Sequence, residues 1–353
     1  MAEFINLVTG SSNKLLQDFT LNSFFAGKAS TEYDLVGERS LRITTAKTVP
    51  LVDYTREGTA RFGTLTEVKD TVQELTMSQD KSFSLSIDKA NQSDQLSMKK
   101  AGRVMKAQMD EQVYPMMDKY AIEQYTGNAG KIMTASAAPT KSNILKAVID
   151  IRAARVNAKV PSEDNYLCMP SSMYAEVLDS DKFMNIDKVS GKALEKGVVG
   201  MLYGYKVMEI PDEYFESGVY MLAFNKKSVI APKKIHTMRI ITEDKDVDGS
   251  ILQGHFYYDH FVLGRRAGGV IALASADLKC AAPAISITTN AATVTSTTSS
   301  AVIYYTLDGS DPRYSLHRKV YASAVTLKSG ETIRAVATKD GMFQSDVTDK
   351  TNA

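Results

Sequence analysis

Gln95 to Tyr125 reads QLSMKKAGRVMKAQMDEQVYPMMDKYAIEQY, and the spacing of its apolar residues decides the architecture. Met98, Ala101, Met105, Met109, Val113, Met116 and Tyr120 recur every three or four positions, which lines one face of an α-helix. At ~1.5 Å per residue that helix extends roughly 45 Å, longer than a compact domain of this size needs. Asn91, Ser93 and Asp94 supply N-cap chemistry ahead of it, and Gly127 and Gly130 mark its end. Pro115 removes one backbone donor and predicts a kink or an internal break. The methionines read as a core face, because methionine fills irregular core space.

Upstream, Ser82 to Asp88 alternates Phe83, Leu85 and Ile87 with serines, a half-buried strand. Residues 37–81 before it hold short β-prone runs, Arg39 to Thr45, Thr48 to Tyr54 and Thr71 to Met77. Charges such as Arg42, Arg56, Glu57 and Arg61 interleave with them. No run has a continuous apolar face, and a two-stranded excursion of this kind buries too little to offset its ordering entropy. If it is ordered, a neighbour orders it. Residues 1–36, with Leu15, Leu16, Phe19, Leu21, Phe24 and Phe25 among Gly, Ser and Asn, read as an extended arm.

Downstream, a helix is predicted from about Asn143 to Val156, a strand over Asn165 to Met169 and a helix over Ser171 to Leu178. A polar loop and strands at Tyr203 to Ile210 and Val219 to Phe224 come after them. Thr237 to Glu243 pairs across Asp244 to Gly249 with Ile251 to Leu263, an α+β pattern overall. Ala274 to Ala284 is a linker, and beyond it Thr, Ser, Val and Ala in short, evenly spaced strands predict a small β-sandwich.

Composition excludes several classes. Lys and Arg total 42 against 41 Asp and Glu, so no global charge draws the chain to nucleic acid or an anionic membrane. Glu3 stands where a signal peptide is basic, and no stretch reaches the ~20 apolar residues of a spanning helix, so a cytoplasmic, non-membrane protein is expected. Two cysteines, Cys168 and Cys280, make no disulfide framework or metal spacing. Phosphate loops, nucleophile elbows and zinc-protease motifs are missing, so no enzyme and no cofactor are expected. The metal candidate is Asp244, Asp246 and Asp248 ahead of Gly249, which copy the start of an EF-hand loop. His255 occupies the twelfth position in place of Glu and both flanks read as strands, so a hairpin turn with Gly249 at positive φ is preferred. His255 and His260 point to opposite faces of a strand. Basic pairs such as Arg265-Arg266, Lys99-Lys100 and Lys233-Lys234 read as solvated charge or subunit salt bridges, with non-specific DNA contact as the alternative.

The order of arm, charged β-excursion, strand, long helix, α+β domain and returning strands resembles the major capsid proteins of tailed bacteriophages, the fold named for phage Hong Kong ninety-seven. The echoes are Thr48-Val-Pro-Leu-Val-Asp-Tyr54, Phe83-Ser-Leu-Ser-Ile-Asp-Lys-Ala-Asn91 and the returning Tyr257 to Leu263 strand. The resemblance implies an N-terminal arm at 1–36, an extended loop at 37–81 and a peripheral domain with spine helix at 82–142. It further implies an axial domain at 143–232, returning peripheral strands at 233–276 and a linker at 277–284. A second stretch, Ile303-Tyr-Tyr-Thr-Leu-Asp-Gly-Ser-Asp-Pro312 with Tyr321, Leu327, Gly330, Ile333 to Ala337 and Ser345, looks like the immunoglobulin-like module of chitobiases and β-hexosaminidases. It implies a sandwich over 285–353, and the residues themselves read Asp308-Gly309 as a hairpin turn between alternating strands.

In function, the capsid resemblance implies a coat protein that assembles into pentamers and hexamers around a double-stranded DNA genome. Its partners would be scaffolding and portal proteins, and its place the virion capsid, reached from the host cytoplasm. Arg42, Arg56, Glu57 and Arg61 are the expected subunit contacts, and Tyr304 and Tyr314 the candidate glycan contacts of a surface-displayed terminal domain. The rival readings are a cellular nanocompartment shell and a secreted carbohydrate-binding protein. With no Trp in the chain, the latter lacks the commonest sugar-stacking surface.

Overall fold

The structure, a computed structural model, describes residues 23–31, 34–36, 40–46, 51–57, 61–63, 65, 70–88, 101–180, 199–242 and 248–352. Contacts group the chain into two units, Met1–Thr31 with Met77–Ala276, and Glu32–Thr76 with Asp277–Ala353. Among the described residues no helix is long and apolar enough to cross a membrane.

Strands β1 (Asp34–Val36), β2 (Ser40–Ala46) and β3 (Asp70–Thr76) form an antiparallel sheet in that order, with Leu41 opposite Leu75 and Arg42 opposite Glu74. Of the β-prone run Thr48 to Tyr54, residues 48–50 lie outside the described residues, and Leu51 to Tyr54 form no strand.

In the larger unit, β4 (Gln79–Asp88) turns Ile87 inward and leaves its serines exposed, as the alternation predicts. Helix α1 (Ala101–Gln108) runs through a π turn at Met109–Val113 into α2 (Tyr114–Gly127), with Pro115 in the first turn of α2. Residues 95–100 of the expected helix lie outside the described residues. The buried stripe is Met105, Met109, Val113, Met117, Ala121 and Tyr125, every fourth residue. An α-helix at 3.6 residues per turn would rotate such a stripe off its face; the wider π turn absorbs part of the excess. The correction falls at Met116, which the helical spacing placed on the core stripe and which is 43% exposed, while Met117 takes its place.

The strands downstream build two larger sheets and the two-stranded pair β10–β13. β5 (Lys131–Ala135) comes after α2; helix α3 (Ile144–Asn157), β6 (Asn165–Pro170) and helix α4 (Ser171–Leu178) come next. Residues 181–198 lie outside the described residues. Then come β7 (Gly200–Leu202), β8 (Tyr205–Ile210), β9 (Val219–Asn225) and β10 (Val229–Ile230). The chain continues through β11 (Lys233–Ile241), β12 (Gly249–Tyr258), β13 (Phe261–Val262) and β14 (Val270–Ser275). One sheet has the order β11–β12–β4 and takes the helix stripe: Met109, Val113 and Met117 pack on Phe256 and Tyr258, and Met105 on Ile87 and Leu252. The other is a mixed sheet of order β5–β14–β9–β6–β8–β7, with α3 and α4 packed against it through Ile144, Val148, Ile151 and Val177. Every residue of β6 is buried, the pattern of a strand covered on both faces. β5 and β14 of this sheet lie outside the 143–232 stretch.

Part of the expected arm belongs to this core. Phe24 and Phe25 are buried, and the Phe25 ring centroid lies 5.7 Å from those of Tyr125 and Phe224. Residues 1–22 lie outside the described residues.

The C-terminal part of the second unit holds β15 (Ala284–Thr288), β16 (Ala291–Thr295), β17 (Val302–Thr306), β18 (Lys319–Val320), β19 (Val325–Thr326), β20 (Thr332–Thr338) and β21 (Thr348–Thr351). Sheets β15–β16–β19 and β18–β17–β20–β21 share a core of Ala292, Val294, Leu327, Ile333 and Ala335, flanked by Tyr305 and Tyr321. Asp308-Gly309 is not a two-residue hairpin turn. β17 pairs with β18, and the connection from Leu307 to Arg318 is a long loop in which Gly309 takes φ 77° and Asp308 accepts the Ser310 N–H at 2.9 Å. The side chain closes the turn locally, and Thr306 Oγ1 donates to Ser310 O at 2.7 Å, so the loop folds on itself.

Candidate assembly surface

Between β2 and β3 the chain turns with its apolar residues facing out. The Thr55 N–H donates to Arg61 O at 3.1 Å, and the rings of Tyr54 and Phe62 meet edge to face with centroids 5.1 Å apart. Gly63 has φ 77°, a backbone conformation that favours glycine, and the exposed Val52 side chain lies against the space a Cβ would take. Leu51 is 101% exposed, Leu65 99% and Phe62 85%, with Val52 and Tyr54 exposed beside them. Single exposed apolar residues are ordinary, but five exposed ones between Leu51 and Leu65, with arginines in the same stretch, resemble in composition an interface core and its rim.

The structure brings Arg56, Glu57 and Arg61 to that same turn, all exposed. Arg42 stands apart on β2, its Nε 3.7 Å from Glu74 Oε1 across the strands, a solvated pair worth little by itself. The sequence reading named the charges as contacts and did not single out Leu51, Phe62 and Leu65, whose exposure the structure adds. The available signal was an apolar residue set with no alternation, which no strand of its own sheet could bury.

Beside Ser78, just past β3, lies a polar cluster in which Asp259 and His260 are buried. Asp259 Oδ2 accepts the Ser78 N–H at 2.8 Å, and Oδ1 accepts the Tyr120 hydroxyl at 3.0 Å. His260 is buried, its Nδ1 3.1 Å from the Tyr125 hydroxyl, and burial lowers its pKa to about 4. On α2, burial lifts the Asp118 carboxyl to about 6, against the opposing pull of its hydrogen bonds from Phe24, Ser23 and Phe25 and of the Lys28 charge.

The remaining candidates separate. Asp244 and Asp246 lie outside the described residues; Asp248 sits in a bend, and no group of three or more His, Cys, Asp or Glu among the described residues is placed to hold a metal. Gly249 does not supply positive φ: it is the first residue of β12, and a Cβ there would collide with the Ile87 carbonyl of β4. His255 and His260 have different partners, Asp80 Oδ1 at 2.6 Å for His255 and Tyr125 for His260. Of the basic pairs, Lys99-Lys100 lies outside the described residues, Lys233 Nζ stands 5.0 Å over the Tyr114 ring, and Arg266 Nη1 donates to Lys227 O at 3.1 Å. Cys168 and Cys280 are free and buried. Tyr304 lies under Arg318, its ring centroid 4.5 Å from the guanidinium carbon, whereas Tyr314 sits beside Arg313, whose Nη2 reaches Asp311 Oδ2 at 2.8 Å.

This mixed α+β architecture is a tailed-phage major-capsid-like fold. A chain of Mycobacterium phage Che8 matches with a TM-score of 0.58 at 19% identity, over 77% of this chain and 98% of that one. The capsid structure of cyanophage P-SCSP1u matches with a TM-score of 0.62 at 13% identity, over 76% and 93%. The mature capsid of bacteriophage PhiM1 matches with a TM-score of 0.57 at 18% identity, over 78% and 93%. At these identities the likeness is one of fold. A family model described as Fn3 associated matches residues 292–352. No curated protein matches the chain in sequence.

Proposed function

We propose that this chain is a coat subunit that assembles with copies of itself into a closed icosahedral shell around a double-stranded DNA genome. The observation that carries it is the apolar set Leu51, Val52, Tyr54, Phe62 and Leu65 in the β2–β3 connection, exposed on a chain with a capsid-like fold. Burying each such side chain is worth roughly 1.5–3 kcal/mol, and a second copy offers that burial at every position of a repeating lattice. Arg56, Glu57 and Arg61 would form the rim of the contact, Arg42 a further one. Pentamers and hexamers, scaffolding and portal partners, and phosphate contacts to packaged DNA belong to the same reading. So does the passage from host cytoplasm to virion.

The terminal sheets, matched by the Fn3 associated model, would be an immunoglobulin-like domain displayed outside, with Tyr304 and Tyr314 toward glycans. The test replaces Leu51, Phe62 and Leu65 together by serine. The expected result is a folded chain with an unchanged melting temperature that no longer forms shells by electron microscopy, while the unaltered chain does. Shells formed equally well by the triple variant would overturn the reading. The nucleic acid content of purified particles separates a viral coat from a cargo-holding compartment.

A further inference from the structure

The segment 32–76 leaves the larger unit at two points, and both are tied to one short stretch of that unit. On the entering side the Ser30 N–H donates to Val229 O at 2.8 Å, and Ser30 bridges to Ile230. On the returning side the Ser78 N–H donates to Asp259 Oδ2 at 2.8 Å. Those two anchors are themselves joined: β10 pairs with β13, and the Asp259 N–H donates to Pro232 O at 3.1 Å. Ser30 and Ser78 are therefore held by a single clamp, residues 229–232 with 259–262.

The two anchors differ in kind. Ser30 is held by backbone, but Ser78 is held by a carboxylate that is 2% exposed. Taking a carboxylate out of water is costly unless its oxygens are hydrogen-bonded, and here both are. Oδ1 accepts the Tyr120 hydroxyl at 3.0 Å and the His260 N–H at 2.7 Å, while Oδ2 accepts Ser78. With Tyr120 donating to Asp259, the Ser78 hydroxyl, 3.1 Å from Tyr120 Oη, is the donor of that contact. Ser78 is thus gripped twice, by its amide directly and by its hydroxyl through Tyr120. A hydrogen bond to a carboxylate is roughly twice as strong as one between neutral groups, which favours a firm hold on Ser78.

We propose that Asp259 is a positioning residue for assembly, whose carboxylate locks the returning end of the loop at Ser78 so that the loop is presented from a fixed root. The consequence for assembly rests on the coat reading above; the anchoring does not. The experiment compares the full-length chain with Asp259→Asn and Ser78→Ala, reading amide hydrogen exchange around residues 76–80 and the size distribution of assembled particles. Asparagine keeps one acceptor oxygen and cannot serve all three donors. Exchange at Ser78 is expected to rise at least about tenfold in Asp259→Asn, with α2 and β9 unchanged, and particles are expected to lose their uniform size. Ser78→Ala keeps the amide donor and is expected to stay within about threefold of the unaltered chain, with uniform particles.

Unchanged exchange at Ser78, or acceleration spread equally through α2 and β9, overturns the anchoring. Fast exchange at Ser78 with uniform particles overturns the positioning role and leaves the coat reading intact. An unaltered chain that never assembles removes the coat reading, and exchange alone then decides the anchoring. Should Asp259→Asn not fold, Tyr120→Phe removes one bond to the carboxylate and is expected to accelerate Ser78 by about threefold; no acceleration there counts against the proposal.

Discussion

The Asp118 carboxylate on α2 accepts the backbone N–H of Phe24 at 2.7 Å, across 94 positions of sequence. It also accepts the Ser23 hydroxyl at 2.8 Å, and Lys28 Nζ closes the turn by donating to Phe24 O at 2.7 Å. Asp118 is 4% exposed, and burial raises its pKa to about 6 from 3.8. A carboxyl that holds its proton more tightly folded than unfolded gives stability that is complete below 3.8 and is lost as pH rises through about 6. Asp118→Asn has no such loss. Relative to the unaltered chain it is expected to gain on the order of 2–3 kcal/mol between pH 4 and pH 6.5, measured by urea unfolding at each pH. A difference that stays level with pH sinks this account.

His260 works in the opposite direction. Burial lowers its pKa from 6.5 to about 4, so between those values the unfolded chain binds a proton that the folded chain excludes. Stability from this group is therefore present above 6.5 and lost as pH falls through about 4. His260→Asn, which keeps a nitrogen near Tyr125, is expected to lose stability relative to the unaltered chain at pH 7 and to recover roughly 2–3 kcal/mol of that loss by pH 4. The two slopes oppose each other, so the double variant should show little of either. Additive flattening in the double variant, measured by the same urea series, is the check.

Gly249 separates two reasons for a glycine. If positive φ were its role, Gly249→Asn would be tolerated better than Gly249→Ala, since asparagine visits that region more readily. Its place in β12, with the would-be Cβ against Ile87 O and 3.0 Å from Asp88 Cα, predicts that both fail alike. Each is expected to cost about 1–3 kcal/mol by forcing β12 off β4, read as a fall in melting temperature. Asparagine clearly outperforming alanine would return the residue to a turn.

The parts of the fold legible in the sequence were those that a local pattern controls. The continuous apolar run at Asn165 to Met169 became β6, buried at every position, and Ser171 to Leu178 became α4 with those limits. Phe83, Leu85 and Ile87 kept their alternation in β4 because one face of that strand meets the helix. Misses occurred where a distant partner decides. The shift from Met116 to Met117 depends on a π turn, which helical spacing cannot register. Phe24 and Phe25 look like arm residues because Asp118, Tyr125 and Phe224, which hold them, lie far along the chain. Arg56, Glu57 and Arg61 stood out in the sequence as charges among β-prone runs, whereas the exposure of the apolar residues around them did not. Leu51 and Phe62 carry no signature of exposure until a turn directs them outward.

Tyr304 and Tyr314 were singled out together as glycan contacts, and their surroundings predict different behaviour. Burial lifts the Tyr314 phenol above its ordinary pKa, and its loop is bound up by the Arg313 to Asp311 pair, where Nε to Oδ1 is 3.1 Å and Nη2 to Oδ2 is 2.8 Å. Tyr314 is half-buried in that loop, and Tyr314→Ala is expected to cost on the order of 1–3 kcal/mol. Tyr304 stands on β17 with a stacked Arg318 over its ring, and Tyr304→Ala is expected to change stability by less than about 1 kcal/mol. A sugar held by an aromatic face and a guanidinium would therefore be lost from a glycan array with Tyr304→Ala or Arg318→Ala at an unchanged melting temperature. Binding that survives both substitutions and disappears only with Tyr314→Ala, together with the fold, would remove the ring of Tyr304 as a contact.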